Sequence, residues 1–269
     1  MEAHEPERRE QQRVINHSGA SMMLNERKAV VTGAASGIGQ AIAELMLERG
    51  AQVLLVDING DTLTSAYPNN DPAFLQSIDL SDENAAAAVA AKAGELFDAQ
   101  LDILVNAAGI SAMMPLEDTS MADWNAVMDI NLNAVFALSQ RCRSLLITSP
   151  YGRIINIGSV MSNFAGAGMA AYTASKHGVL GLTKVLATEL GQHGVTANCI
   201  QPGAILTGIT QELHDNDENF REFWNNKAAI GRWGTPQDIA YLAAFLASDE
   251  AAFMSGHGIY CDGGAMQKA

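Results

Sequence analysis

The chain has 269 residues, of which 48% are hydrophobic and 17% are charged, as in globular proteins with a sizeable core. The 30 acidic residues against 16 basic ones give a formal net charge of −14, which disfavours nucleic acid and anionic membrane surfaces as partners. The 3 cysteines share no short spacing, which indicates reduced thiols rather than disulfides. The histidines match no metal-binding motif, so we expect no bound metal.

The first 24 residues are polar and mix glutamate with arginine. Such a segment has neither the apolar stretch of a secretory signal nor the acid-poor composition of a transit peptide. No apolar run in the sequence approaches the ~18 residues that a membrane span needs. We expect a disordered extension over residues 1–24 and one domain over residues 25–269, in the cytoplasm.

From Lys28 onward, short runs rich in β-branched residues alternate with longer amphipathic segments. Uniformly apolar strands are expected where helices cover both faces of a parallel sheet. The alternation predicts an α/β fold, a single-domain Rossmann-type doubly wound parallel sheet of about seven strands with helices on both faces. The predicted strands are 28–32, 52–56, 73–78, 101–105, 153–157, 196–200 and 258–261, and the predicted helices are 38–49, 84–97, 121–146, 170–191 and 236–247.

Residues 204–233 are the least regular part of this domain and separate a predicted strand from a predicted helix. A connection of this length is commonly a lid over a substrate site. A surface insertion without function is the alternative. We predict a substrate lid over about 204–233, with a helical patch at 218–226.

A glycine-rich loop, TGAASGIG at 32–39, follows the first predicted strand and opens the first predicted helix. Gly33 permits a tight turn, Gly37 lets the backbone approach a pyrophosphate, and Gly39 allows close packing of helix on strand. The free amides at the start of the helix attract phosphate. The dinucleotide-binding residues predicted in this loop are Gly33, Ser36, Gly37, Ile38 and Gly39.

Asp57 ends the second predicted strand, 18 residues beyond Gly39, where a carboxylate can accept hydrogen bonds from both ribose hydroxyls. The 2′-phosphate of NADP would face this anion, and residues 34–36 and 58–60 contain no Lys or Arg to offset it. Like charges at ~4 Å near a protein surface repel by about 4 kcal/mol. The sequence therefore predicts NAD as the cofactor, with a strand-end turn as the alternative role of Asp57.

Tyr172 and Lys176 are four residues apart in YTASK, within a predicted helix, so both lie on one face. A free tyrosine has a pKa of ~10, and lowering it by ~3 units takes about 4 kcal/mol, which an adjacent ammonium can supply. The pair by itself also fits two exposed helix residues. Ser159, thirteen residues before Tyr172, can hold a substrate oxygen while the tyrosine exchanges a proton, although an isolated serine is commonly a cap.

Further motifs occur in order along the chain, namely Asp79-Leu80, NAAG (106–109), Asn131, Pro202-Gly203 and Thr207. Together with TGAASGIG (32–39), Ser159 and YTASK (172–176), they resemble the motifs of the classical short-chain dehydrogenase/reductase family across residues 28–264. The resemblance implies an oxidoreductase in which residues 25–269 form the dinucleotide-binding catalytic domain. Its catalytic residues would be Asn131, Ser159, Tyr172 and Lys176.

The same resemblance implies contacts with the cofactor. Asp79 and Leu80 would border the adenine, and Asn106 and Gly109 would flank a ribose. Asn131 would use its side chain or backbone to hold a water linked to Lys176. The other cofactor contacts it implies are Tyr172 and Lys176 at the nicotinamide ribose, with Pro202, Gly203, Ile205 and Thr207 near the carboxamide and phosphate.

The predicted reaction is hydride transfer between NAD(H) and a secondary alcohol or ketone, which could be a small alcohol, a polyol or a sugar derivative. Tyr172 is its predicted general acid/base. A 3-oxoacyl-thioester reductase is the alternative, disfavoured by Asp57, because that activity usually draws on NADPH, and by the acidic charge of the chain. A dinucleotide-binding protein without turnover is less favoured, because Ser159, Tyr172 and Lys176 are all present.

The substrate wall is predicted from segments next to these motifs, where Met and aromatic residues indicate an adaptable, apolar surface. Ordinary core packing is the alternative for the same residues. Apolar helices at 121–146 and 170–191, together with the family resemblance, favour a homotetramer. The predicted wall residues are Ser111, Met113, Met161, Asn163, Phe164, Ile209, Leu213 and Trp224.

Overall fold

Seven strands form one parallel sheet in the computed structural model, which describes residues 23–71 and 74–268. Their order is β3-β2-β1-β4-β5-β6-β7, which confirms the predicted doubly wound fold. The order reverses between β1 and β4, and in such sheets ligands bind in the crevice outside the carboxyl ends of the strands at this point. The strands are β1 (Lys28–Thr32), β2 (Gln52–Asp57), β3 (Leu75–Ser77), β4 (Ile103–Asn106), β5 (Arg153–Ile157), β6 (Thr196–Pro202) and β7 (Gly258–Cys261).

Helices cover both faces of the sheet. Val31 and Leu55 pack toward helices α1 (Gly37–Glu48) and α9 (Pro236–Ala247), whereas the neighbouring Val30 and Leu54 pack toward α3 (Ala85–Leu96) and α5 (Ala134–Thr148). Because successive side chains of a strand point to opposite faces, both faces need apolar residues, and this explains the uniformly apolar strands. The helices are α1 (Gly37–Glu48), α2 (Gly60–Ala66), α3 (Ala85–Leu96), α4 (Met121–Met128), α5 (Ala134–Thr148), α6 (Ala170–Leu190), α7 (Gly208–Asn216), α8 (Glu218–Lys227) and α9 (Pro236–Ala247).

The helix predicted over 121–146 is interrupted. A π-helical turn, Asp129–Asn133, separates α4 from α5. Such a turn accommodates one extra residue in a helix and commonly marks a functional site. Asn131 lies in the middle of this turn and is buried. A hydrophobic pattern that continues through both helices does not reveal the interruption.

Two further boundaries differ from the predicted ones. Leu24 belongs to the domain rather than to the extension, because its side chain is fully buried and its amide donates to the carbonyl of Arg49. Residues 1–22 of the predicted extension lie outside the described residues. Strand β3 is shorter than predicted, and Ala73, its predicted first residue, also lies outside them.

The predicted lid, 204–233, contains the helices α7 and α8, with Asp217 between them. Its two ends are joined, since the amide of Leu206 donates to the carbonyl of Gly234 and the amide of Gly234 donates to that of Ala204. Trp233 is buried, and its indole Nε1 donates to the carbonyl of Arg221 in α8. The insertion is therefore an ordered helical hairpin fastened at its base.

Within residues 23–71 and 74–268, no helix is both long enough and apolar enough to cross a membrane. The same residues contain no cluster of three or more His, Cys, Asp or Glu side chains placed to hold a metal ion.

Candidate active site

The glycine-rich loop connects β1 to α1 in close contact with the segment after β4. A Cβ added at Gly33 would lie 2.9 Å from the backbone of Ala108, and one added at Gly39 would lie 2.1 Å from the carbonyl oxygen of Gly33. Gly33 also has a φ of +69°, a conformation that other residues rarely adopt. These contacts require glycine at both positions. The two glycines also line a cleft of ≈ 780 Å³.

The start of α1 is the part of this cleft that fits a phosphate. Ser36 is the N-cap residue, and its side chain makes no capping hydrogen bond within the described structure. Gly37, Ile38 and Gly39 line the cleft directly. A helix start that lies open to a cleft presents unpaired amides and a partial positive charge, which stabilise bound phosphate.

Carboxylates line the far end of the same cleft. Asp57 accepts hydrogen bonds from the amides of Ala35 and Asn59, both at 3.0 Å. Asp79 accepts from the amide and hydroxyl of Ser81, and these hydrogen bonds lower its pKa. Among the described residues that line this cleft there is no Lys or Arg. The predicted adenine-side residues Asp79 and Leu80 lie here with Asp57.

The segment after β4 is held by Thr32, whose hydroxyl accepts hydrogen bonds from the amides of Ala107 and Ala108. Gly109 lines the cleft as placed by the prediction, but the side chain of Asn106 does not. Asn106 is buried and donates to Asn156 of β5 at 2.8 Å. Its side chain therefore ties two strands together beneath the cleft instead of facing a ribose.

The segment after β6, which contains Thr207, lines another side of the cleft. Thr207 lies over the glycine loop, where a Cβ added at Gly37 would approach its side chain to 3.5 Å. Thr207 lines both the dinucleotide cleft and an adjoining chamber of ≈ 380 Å³. Pro202, Gly203 and Ile205 line the chamber.

Ser159, Tyr172 and Lys176 come together in this chamber. Ser159 follows β5, and its hydroxyl accepts a hydrogen bond from the amide of Met161, so it also caps the short helical turn that follows. Lys176 is buried, and its ammonium Nζ donates to the carbonyl of Ile157 at 2.8 Å. The same Nζ lies 5.6 Å from the centre of the Tyr172 ring.

Burial changes the acidity of both titratable groups. It raises the pKa of Tyr172 above its ordinary value, and a hydrogen bond with Ser159 offsets part of this rise. Burial also lowers the pKa of Lys176 to about 8, although the nearby Cys199 thiol opposes this shift. In the protein without cofactor, desolvation of the phenolate is therefore the largest influence on the Tyr172 pKa, and it acts against the lowering expected from Lys176.

Asn131 is fully engaged with the chain itself. Its side chain accepts from the amide of Ile110 at 2.8 Å and donates to the carbonyl of Ile110 and the hydroxyl of Ser175. A Cβ added at Gly109 would lie 3.2 Å from its Oδ1 and 3.6 Å from the ammonium of Lys176. The side chain of Asn131 therefore holds the segment after β4 against α6.

Most of the predicted substrate wall lies around the chamber, with two exceptions. Asn163 instead donates to Gln201, and Phe164 packs against Tyr260. The lining residues that were missed include Met169, three residues before Tyr172, and the aromatic residues Phe220 and Trp233 of the lid. The aromatic content of 204–233 could have indicated the last two. The predicted residues that do line the chamber are Ser111, Met113, Met161, Ile209, Leu213 and Trp224.

The sheet topology, the phosphate-binding helix start and the adjoining Ser-Tyr-Lys chamber define the class of oxidoreductases that use a nicotinamide dinucleotide. A family model described as enoyl-(acyl carrier protein) reductase matches residues 33–266. Gluconate 5-dehydrogenase of Gluconobacter oxydans (strain 621H) is 37% identical over 246 residues, which cover 90% of this chain and 95% of that protein.

Two further comparisons agree with this assignment. The 3-oxoacyl-(acyl-carrier-protein) reductase FabG of Vibrio cholerae is 38% identical over 245 residues, covering 90% of this chain and 98% of that protein. A Beutenbergia cavernae protein, provisionally named an NAD(P)-dependent gluconate 5-dehydrogenase and solved with NADP at low occupancy, matches with a TM-score of 0.84 and 37% identity over 92% of this chain and 99% of that one. The chain belongs to the short-chain dehydrogenase/reductase family.

The acidity of the site gives a direct prediction for the cofactor-free protein. Because burial raises the pKa of Tyr172, this residue should remain a neutral phenol from about pH 6 to about pH 9, below the ordinary tyrosine pKa. The measurement is the ultraviolet difference spectrum of phenolate, recorded for the wild-type protein against Tyr172→Phe across this pH range. A Tyr172 phenolate that forms near neutral pH without cofactor would contradict the burial argument.

Proposed function

We propose that this protein transfers hydride between NAD(H) and a secondary alcohol or its ketone, with Tyr172 as the general acid/base. The observation that carries the proposal is the convergence of Ser159, Tyr172 and Lys176 in a chamber that adjoins the dinucleotide cleft. The cleft and the chamber share Ile38, Gly109 and Thr207 among their lining residues. A cofactor in the cleft and an alcohol in the chamber could therefore meet.

Each side chain has a role that follows from its surroundings. The hydroxyl of Ser159 and the phenol of Tyr172 lie on the chamber wall, where they can bind one substrate oxygen. Tyr172 exchanges a proton with that oxygen. Lys176, fixed by the carbonyl of Ile157, keeps a positive charge near the ring at neutral pH and favours the phenolate.

NAD⁺, when bound, supplies the hydride acceptor and a second positive charge close to the phenol. The residues that would hold it are those of the glycine loop, the carboxylates at the far end of the cleft, and Thr207 with the end of β6. The fit rests on the open start of α1 and on the contact of Gly33 with Ala108, where any side chain would collide with the backbone.

NAD rather than NADP is the proposed cofactor. Asp57, Asp79 and Asp129 line the cleft, and the described lining residues of this cleft contain no cation to offset a 2′-phosphate. A structural neighbour was solved with NADP, so membership of the family does not decide the preference, and the argument rests on residues of this chain.

A 3-oxoacyl-thioester reductase is the second candidate, because the relative FabG is as similar to this chain as the gluconate dehydrogenase. The carboxylates of the cleft disfavour the NADPH that this reaction usually draws on. The net charge of −14 also disfavours an acidic carrier protein.

We also propose a homotetramer in the cytoplasm. Exposed apolar side chains, Met121 on α4, Phe136 on α5 and Val185 on α6, support contacts between copies of these helices. The free thiols of Cys142, Cys199 and Cys261 support a reducing compartment.

Replacing Tyr172 tests the proposed chemistry. Tyr172→Phe removes the proton-exchanging hydroxyl, and we expect kcat to fall by ~100-fold to ~10,000-fold, the usual contribution of acid–base catalysis. NAD⁺ affinity, measured by fluorescence titration, should stay within ~5-fold, because one hydrogen bond contributes about 1 kcal/mol. Tyr241→Phe removes a hydroxyl from an exposed tyrosine on α9 and should leave kcat unchanged. Near-normal turnover of Tyr172→Phe would refute the proposed role.

Replacing Asp57 tests the cofactor preference. Asp57→Ala removes the anion that opposes a 2′-phosphate, so the ratio of kcat/KM for NAD⁺ to that for NADP⁺ should fall by at least ~10-fold, or about 1.4 kcal/mol. Asp61→Ala removes an equal charge from the first turn of α2, outside the cleft, and should leave the ratio unchanged. An Asp57→Ala protein with the wild-type ratio would exclude the proposed role of this carboxylate.

A further inference from the structure

We propose that the chamber beside Tyr172 selects uncharged, mainly apolar alcohols and ketones and disfavours sugar acids and other anionic polyols. This inference rests on the proposed hydride transfer and names its substrate class. Its starting point is a difference between the chamber and the substrate named for the relative gluconate 5-dehydrogenase. Gluconate is an anion with several hydroxyls, and the chamber offers few partners for either feature.

Cations are scarce in the chamber. Lys176 is the one Lys or Arg among the described residues that line it. Its ammonium already donates to the carbonyl of Ile157 and lies beside the ring of Tyr172. It therefore lies at the part of the chamber where the proposed reaction takes place. A carboxylate elsewhere in the chamber would be partly desolvated by the apolar walls without gaining a charged partner, which is unfavourable.

Several polar groups of the chamber are already engaged within the chain. The indole Nε1 of Trp233 donates to the carbonyl of Arg221. The hydroxyl of Thr210 donates to the carbonyl of Ile205 and accepts from the amide of Thr207. Because a buried hydroxyl without a partner is costly, a polyol would bind with part of its hydrogen bonds unmade.

The chamber walls consist of methionine, aliphatic and aromatic side chains. Three methionines, Met113, Met161 and Met169, come from the segments near Gly109, Ser159 and Tyr172, and the lid contributes an aromatic and aliphatic set. Methionine adapts to irregular apolar shapes. A chamber of ≈ 380 Å³ with such walls suits a ring or a branched hydrocarbon body. The lid residues of this set are Ile209, Leu213, Phe220, Trp224 and Trp233.

The charge of the lid acts in the same direction. Acidic residues outnumber basic ones on the two lid helices and the residue between them, which gives this part of the lid a net negative charge. Such a charge lowers the local concentration of anionic substrates. The acidic residues are Glu212, Asp215, Asp217, Glu218 and Glu222, and the basic ones are Arg221 and Lys227.

The test compares neutral ketones with analogues that carry a carboxylate. With NADH and the full-length protein, 2-heptanone is compared with 6-oxoheptanoate, and 4-methylcyclohexanone with 4-oxocyclohexanecarboxylate. In each pair a methyl group is replaced by a carboxylate at the end remote from the carbonyl. We expect kcat/KM to be at least ~100-fold higher for the neutral member, because the carboxylate has no partner in the chamber.

A second experiment introduces a positive charge into the chamber wall. Met113→Lys places a cation at the chamber, and it should raise kcat/KM for the anionic member relative to the neutral one by at least ~10-fold. Leu116→Lys adds the same charge to an exposed residue of the same segment that does not line the chamber. This control should leave the wild-type ratio unchanged.

The outcomes separate this inference from the function on which it rests. Equal or better use of the anionic ketones, or D-gluconate with NAD⁺ or acetoacetyl-CoA as the best substrate, would overturn the substrate class but leave hydride transfer intact. An unchanged ratio in Met113→Lys would also overturn it, because the missing cation would not be the cause. Failure to use any ketone, gluconate or thioester would refute the proposed function itself.

Discussion

The buried ammonium of Lys176 is the constraint on which the site depends. A charge in a mainly apolar interior needs a close partner, and the carbonyl of Ile157 at the end of β5 supplies it. That hydrogen bond fixes α6 against the carboxyl edge of the sheet and, one turn earlier, fixes Tyr172 at the chamber. The small Gly109 and the engaged Asn131 complete the surroundings of the ammonium.

The same edge of the sheet joins the cofactor cleft to the substrate chamber. Gly33 packs on Ala108, so the phosphate loop and the segment after β4 form one unit. Asn106, Asn156 and Thr183 form a hydrogen-bonded chain from β4 through β5 to α6. The glycine-rich loop and the helix that carries Tyr172 are therefore connected through backbone contacts and buried polar side chains.

Features encoded by local pattern could be predicted, and features created by packing could not. The seven-stranded sheet and the cofactor loop follow from apolar strands and glycine spacing. The helix α2 was missed because it is short and buries a single side chain, Leu63. The hydrophobic pattern continues through the π-helical turn at Asn131, so the pattern does not predict the turn.

Side-chain direction and desolvation account for the other differences. Asn106 stands in the predicted motif, yet its side chain turns toward Asn156 rather than the cleft. Residue spacing correctly placed Lys176 beside Tyr172, but spacing carries no information on burial, which raises the pKa of Tyr172. The places of Phe220 and Trp233 in the chamber wall depend on how residues 204–233 pack against the rest of the domain, which is a long-range contact.

The most direct measurement follows the hydrogen on the carbinol carbon. 4-Methylcyclohexanol labelled with deuterium at that carbon is incubated with NAD⁺ and the protein, and the NADH formed is analysed by mass spectrometry. Direct hydride transfer within the joined cleft and chamber predicts NADH that carries the deuterium. Unlabelled NADH, with the deuterium released to water, would contradict the account.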